Sequence, residues 1–455
     1  MFDDQLIDVL KQLSATVKTM IDEGVSNGTI KPQDEVYFRW KVDKFQYTDK
    51  GVTDYSAHGE YFTKQSWFRA IIKLEESVKH CSEYSPALEH LTKVFGDSNR
   101  ISSDLDQFIV KLLHHYFSSL KTEEKDIESL ITTFLKDLRE EPVKYGAEAE
   151  LQGVALQPEK IEPSFGITLR QTKIEDFERE FPVYGFFMAP HHLPNPSAIL
   201  NIEFLGRGTN EIQKRLEQAI VILSLFKVGS VEHTAYRMKS ESITDISASG
   251  TVTSGRTRGA LETYLITHED VQKLKKFWQT MTESIPESFF KLGITGTDYL
   301  SIAYKRYNDA LSENGLIERR IANAVMGLEA LFLKPGELQE LPYRLGVRIG
   351  KVFELLGRNP HEIKKIINDA YKVRNLFAHG GQLSYKQKKK LESKYDNVKN
   401  LLLSVLDCLR ILIIVIILSR KEKDELIDSL DDSLIDRKQE EQLSAVISRA
   451  KESIG

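Results

Sequence analysis

The segment Leu401 to Leu418, LLLSVLDCLRILIIVIIL, constrains this chain more than any other stretch of its sequence. An apolar run of that length either crosses a bilayer or disappears into a protein core. Asp407 and Arg410 decide between the two, because each would cost about 2.5 to 3.5 kcal/mol near a bilayer centre. They leave only Ile411 to Leu418 uninterrupted. The expectation is a helix buried on nearly all sides, in a bundle or at a subunit interface, with no membrane contact. The rest of the chain can supply that cover. With 41% hydrophobic residues and a formal charge of -5 it is no disordered chain, and 26 Gly with 13 Pro exclude a collagen-like or Pro-rich one. Its 455 residues suffice for two to four domains.

Three regions are expected. Residues 1–140 read as mainly helical, with apolar spacing of three and four in Leu6, Val9, Leu10 and Leu13 and again in Phe108, Leu112, Leu113 and Phe117. VYFRWKV from Val36 is one possible strand. Residues 141–290 form an α+β region, a possible sensor or regulatory domain. Its strands are read in AEAELQGVAL, SFGITLRQT and SAILNIEFL, the turn residues in HHLPNPS, and a helix in NEIQKRLEQAIVILSLF. Residues 291–455 read as a helical bundle with an acidic helical tail. Asn359 caps its NPHEIKKIINDAYKVRNLFAHGG block, with Pro360 at the first helical position, Glu362 placed for a capping box, and Gly380-Gly381 at the end. The fold class is therefore mainly α with an α+β middle region.

Several chemistries are excluded. Cys81 and Cys408 form no CxxC pair, and the pairs His114-His115 and His191-His192 lack the i, i+4 spacing of helical metal ligands, so no metal or cofactor is expected. The stretch 247–259, SASGTVTSGRTRG, carries Arg256 and Arg258 but not phosphate-loop spacing, and reads as a flexible hairpin tip. Acids in MFDDQLIDVLKQL stand where a secretory signal has bases, which gives a cytoplasmic expectation. Charge is uneven. Residues 297–420 hold 21 Lys plus Arg against 13 Asp plus Glu, a net of +8, which points the bundle toward a polyanion.

Within the bundle the informative string is Arg374-Asn375-Leu376-Phe377-Ala378-His379-Gly380-Gly381. A permanently charged guanidinium fork suits phosphate oxygens, and an imidazole exchanges protons near neutral pH; together they suit phosphodiester cleavage without metal. On an unbroken helix five positions separate the two side chains by about 140°, so a helix that ends at the glycine pair is needed to swing His379 out of register. The plainer alternative is a C-terminal histidine stabilised by the helix dipole. Arg374 continues the stripe of Ile363, Ile367 and Ala370, which places it along the packed side. Lys386, Lys388, Lys389, Lys390 and Lys394 follow, either a phosphate-tracking patch or a solvated face. Arg344 and Arg348 share a helical face and could line the same groove. Glu329, among apolar residues, is expected to pair with a buried base such as Arg348.

These residues resemble the HEPN superfamily, and within it the Apea-like HEPN proteins of prokaryotic defence. Arg374, Asn375 and His379 match the family's Arg, polar residue, spacer and His signature in its shortest form; ERRIANAVMGLEALFL, LPYRLGVRIGKVFELLG and YKVRNLFAHGG resemble its flanking helices over about residues 297–435. The resemblance implies a metal-independent endoribonuclease, an anti-phage or toxin-type effector. It would work as a homodimer with a composite site, under a regulatory partner or phage trigger. His379 would be the general acid or base, Arg374 would hold the scissile phosphate, and Asn375 would orient His379 or bind the phosphate. Lys386, Lys388, Lys389, Lys390, Arg344 and Arg348 would contact RNA. A dimer would also account for the apolar helix. Gly381 stands where nucleotidyltransferase-silenced HEPN toxins often carry Tyr. A HEPN module that only binds RNA or nucleotide stays open, as does an enzyme centred on His233, Arg237 or the 247–259 stretch.

Overall fold

The computed structural model describes residues 4–118, 124–183, 196–245, 250–253, 263–287, 289, 298–312 and 315–454. His191-His192 and the turn beside it, and all of the 247–259 stretch except Gly250–Thr253, lie outside them. The protein is about 60% helical, with 15 helices among the described residues and a sheet region in its middle.

The N-terminal part comprises α1 (Asp4–Ser26), the hairpin β1 (Gln33–Thr48) and β2 (Gly51–Ser66), then α2 (Phe68–Val78), α3 (Tyr84–Phe95), α4 (Ser98–Ser118) and α5 (Glu124–Leu138). Its helices bury the predicted stripes, Leu6, Leu10 and Leu13 on α1 and Phe108, Leu112 and Leu113 on α4, in a core of their own. The aromatic stretch from Val36 is the middle of β1, whose partner β2 makes the hairpin far longer than the sequence suggests.

The middle part comprises β3 (Val143–Gln152), β4 (Val154–Leu156), β5 (Lys160–Ser164), β6 (Ile167–Gln171), β7 (Glu180–Pro182), β8 (Ala198–Gly206), α6 (Thr209–Phe226), β9 (Glu232–Ser240), β10 (Gly250–Thr253), β11 (Tyr264–Ile266) and α7 (Asp270–Thr282). Six strands pair antiparallel in the order β10-β9-β3-β8-β6-β5. Alternation along β3 sends Val143, Tyr145, Ala147, Ala149 and Leu151 into the core and Lys144, Glu148 and Glu150 to the opposite face.

The C-terminal part comprises α8 (Tyr299–Ser312), α9 (Ile317–Phe332), α10 (Leu341–Leu355), α11 (Pro360–Ala378), α12 (Tyr385–Tyr395), α13 (Val398–Ser419), α14 (Lys423–Asp432) and α15 (Arg437–Ile454). The lysines from Lys386 and the apolar run from Leu401 lie on two separate helices, α12 and α13. Asp396 sits at φ +65° and Asn397 caps α13 by accepting from the Asn400 N–H at 2.7 Å. The sheet and this bundle share one continuous core, from Val143 to Ala450.

The apolar helix is α13, buried from Leu401 to Leu418 except for a few positions. It is long and apolar enough to cross a membrane, yet it lies inside the fold. Its cover comes from the same chain, chiefly α8, α9, α11 and α15. The expectation that a second subunit would account for it is thereby corrected. Arg410 explains the charge in this helix. Its Nη1 donates to the carbonyls of Leu225 at 2.8 Å and Phe226 at 3.0 Å, and Asp407 holds its other edge at 2.6 and 3.0 Å. Tyr264 and Tyr307 donate to the Leu223 and Ser224 carbonyls at 2.8 and 3.1 Å. All four carbonyls that the end of α6 leaves without helical partners are thus satisfied, two by Arg410 and one by each tyrosine.

Candidate functional site

The site forms where α11 ends. Asn359 caps its start by accepting from the His361 N–H at 3.0 Å, with Pro360 at the first position. Its end is a Schellman motif: Gly381 N–H donates to the Leu376 carbonyl and Gly380 N–H to the Phe377 carbonyl, both at 2.9 Å, with Gly380 at φ +78°. His379 is therefore the last, half-helical residue (φ -93°, ψ 16°). Its imidazole is exposed and makes no hydrogen bond among the described residues. Its N–H still donates to the Asn375 carbonyl at 3.2 Å, so the glycine pair ends the helix after His379 but does not swing its backbone out of register as the sequence reading required.

Arg374 lies one turn earlier with its side chain 28% exposed. Its Nη2 donates to Glu329 Oε2 at 3.0 Å, its Nη1 donates to Asn375 Oδ1 at 3.2 Å, and its guanidinium carbon lies 5.5 Å from the centroid of the Tyr371 ring. The expected partner of Glu329 was Arg348; the structure pairs it with Arg374, because α9 and α11 pack side by side. Glu329 Oε1 is buried and has no hydrogen bond among the described residues. Burial, then the Glu329 charge, pushes the Tyr371 hydroxyl up to about 12, so it stays protonated. Asn375 is turned toward Arg374 through its carbonyl oxygen rather than toward His379.

Arg348 is only 3% exposed and lines no groove. It bonds the Phe332 carbonyl at 2.8 Å, both oxygens of Glu337 at 2.7 and 2.8 Å and both of Asp431 at 2.7 and 2.8 Å. Arg344 converges on the same Glu337 at 3.1 Å, so the shared helical face read from the sequence is covered by the 333–340 loop and α14. Glu337 is held down at about 2, first by the Arg348 hydrogen bonds.

The lysines are divided by their partners. Lys394 belongs to Asp369, at 2.8 Å, and Lys388 lies 4.0 Å from Glu318. Lys386 and Lys390 are exposed with no partner among the described residues, and Lys389 lies over the Tyr385 ring at 5.6 Å. Sequence reasoning missed Glu318, which is 2% exposed in the first turn of α9 and accepts from the Leu383 N–H at 3.3 Å. It pins the six-residue loop between α11 and α12. Its signal was available: an acid in LIERRIANAV, on a face that is otherwise apolar.

In the middle region Arg237 lies on β9 beside Glu150 at 3.5 Å, in a network with Glu148, Asp176, Arg170 and Arg179. Burial pushes the Glu150 carboxyl from 4.5 up to about 7, with Asp176 and Glu148 adding to it and Arg179 opposing. These charges are spent on one another, and His233 is not part of the network. Among the described residues no group of three or more His, Cys, Asp or Glu is placed to hold a metal.

Compared with protein-family models, curated proteins and solved structures, the chain matches none of them.

Proposed function

We propose that this protein is a metal-independent endoribonuclease of the HEPN type, a cytoplasmic effector of anti-phage or abortive-infection defence. The observation that carries the reading is the end of α11, where an uncommitted, exposed His379 follows an anchored Arg374 by five positions. In this reading His379 takes the proton of a 2'-hydroxyl, the 2'-oxygen bonds to phosphorus, and the bond from phosphorus to the 5'-oxygen breaks. A second, protonated imidazole, from a partner chain in the dimer that the HEPN resemblance implies, returns a proton to that 5'-oxygen. Arg374 stabilises the charge that develops on the phosphate. The products are a 2',3'-cyclic phosphate and a 5'-hydroxyl.

The ties of Arg374 to Glu329 and Asn375 favour one second reading, a module that binds RNA or a nucleotide without cutting it. The test separates the two. His379→Ala and Arg374→Ala, assayed on RNA in EDTA, should each lose at least about a hundredfold in cleavage rate. Cleavage unchanged in both variants, or cleavage that requires a divalent metal, would overturn the nuclease. Salt-dependent binding by a wild type that never cleaves would select the second reading.

A further inference from the structure

Tyr385 is the first residue of α12 and is 76% exposed, although a tyrosine normally covers its ring. The Lys389 ammonium lies 5.6 Å from the ring centroid, one turn later. Lys386 and Lys390, exposed and without partners among the described residues, follow on the same helix, about 100° and 140° around its axis from the ring. The backbone beneath is fixed. Ser384 and Gln387 close a reciprocal capping box, Glu318 holds the Leu383 N–H, and the Schellman motif ends α11 just before. Tyr385 is six positions after His379, a span of at most about 22 Å even if fully extended.

We infer that Tyr385, with Lys386, Lys389 and Lys390, is a stacking platform that takes an unpaired base of a single-stranded RNA beside the His379 site. The inference deepens the nuclease reading and rests on it for the identity of the polyanion. An exposed aromatic face stacks on any base, and cations around it follow the backbone; a lysine patch alone would serve any polyanion. A base paired in a duplex keeps its faces inside the stack, so the platform selects single strands. Ring and charge thus have separate roles. Lys388, drawn toward Glu318, belongs to the scaffold of the platform.

The experiment measures binding and cleavage separately on the full chain, with a single-stranded oligoribonucleotide, the same strand in a duplex, and inorganic polyphosphate. Tyr385→Ala should weaken single-strand binding by about fivefold to 150-fold, the range for loss of one stacked base. Tyr385→Phe and Tyr385→Trp, which keep a stacking face, should restore it, and polyphosphate binding should not change. Where cleavage is present, the loss should fall on KM and leave kcat within about twofold. Equal binding by Tyr385→Ala and Tyr385→Phe overturns the platform, as does equal weakening toward RNA and polyphosphate. Cleavage that survives with Tyr385→Ala kinetics unaltered removes the platform and leaves the nuclease. Tyr385-dependent binding by a wild type that never cleaves supports the platform and removes the nuclease.

Discussion

Arg410→Met tests whether the charge in the apolar helix is there to close the end of α6. Methionine has similar length and no donors, so the change deletes the bonds to Leu225 and Phe226 while leaving the packing of α13 nearly filled. Each carbonyl left buried without a donor costs about 1 to 3 kcal/mol. Asp407 loses its partner but retains Arg358 at 3.3 Å and is partly exposed, so it adds little. Recovered apolar contact offsets roughly 1 kcal/mol. The expected net loss is therefore about 1 to 5 kcal/mol. Urea unfolding, followed through Trp278 in the same core, reads it directly as a shifted midpoint. Tyr307→Phe removes the adjacent bond to Ser224, so the two changes should couple by at least about 0.5 kcal/mol in a double-mutant cycle. A loss below about 0.5 kcal/mol for Arg410→Met would mean that water satisfies these carbonyls and that Arg410 has another reason to sit in the core.

Asp396→Gly should stabilise the protein by about 1 kcal/mol, because Asp396 holds φ +65° and ψ -41° between α12 and α13, a conformation costly for any residue with a Cβ; the urea midpoint should rise, and a fall would show that the side chain holds the turn. Glu150→Gln should flatten the dependence of stability on pH. The folded carboxyl titrates at about 7 against an ordinary 4.5, so its contribution is complete below pH 4.5 and is lost as pH rises through 7. Between those limits the wild type should lose of order 3 kcal/mol more than the variant, and parallel stability curves would refute the assignment.

What could be read from the sequence was what local chemistry determines. The cap at Asn359-Pro360 and the stop at Gly380-Gly381 lie where their residue types place them, since capping needs only neighbours along the chain. Burial of α13 followed from Asp407 and Arg410 alone. What covers it did not, because its neighbours come from as far away as α6, 185 positions along the chain, and periodicity reports which face is apolar but not what meets it. The same limit misassigned Glu329. A carboxylate in an apolar stripe must find a cation, but Arg348 and Arg374 both qualify by sequence, and only the packing of α9 against α11 chooses. β2 was missed for a different reason: GVTDYSAHGEYFTKQS lacks the alternation of a half-buried strand, and it folds as one by pairing along the whole of β1.

The excess of +8 in the bundle is a weaker guide to the site than the way its charges are used. Arg348, Lys351, Lys394 and Arg410 all neutralise acids, several of them in the tail or beneath the surface, and Arg374 itself is half committed to Glu329. A cation already paired contributes little to binding a phosphate, because the new contact must first replace the old one. Lys386 and Lys390, which lack partners among the described residues, stand on the helix that follows His379, and Lys389 lies over the Tyr385 ring. Cationic surface and uncommitted imidazole thus share one end of α11, joined by a loop that Glu318 holds from below.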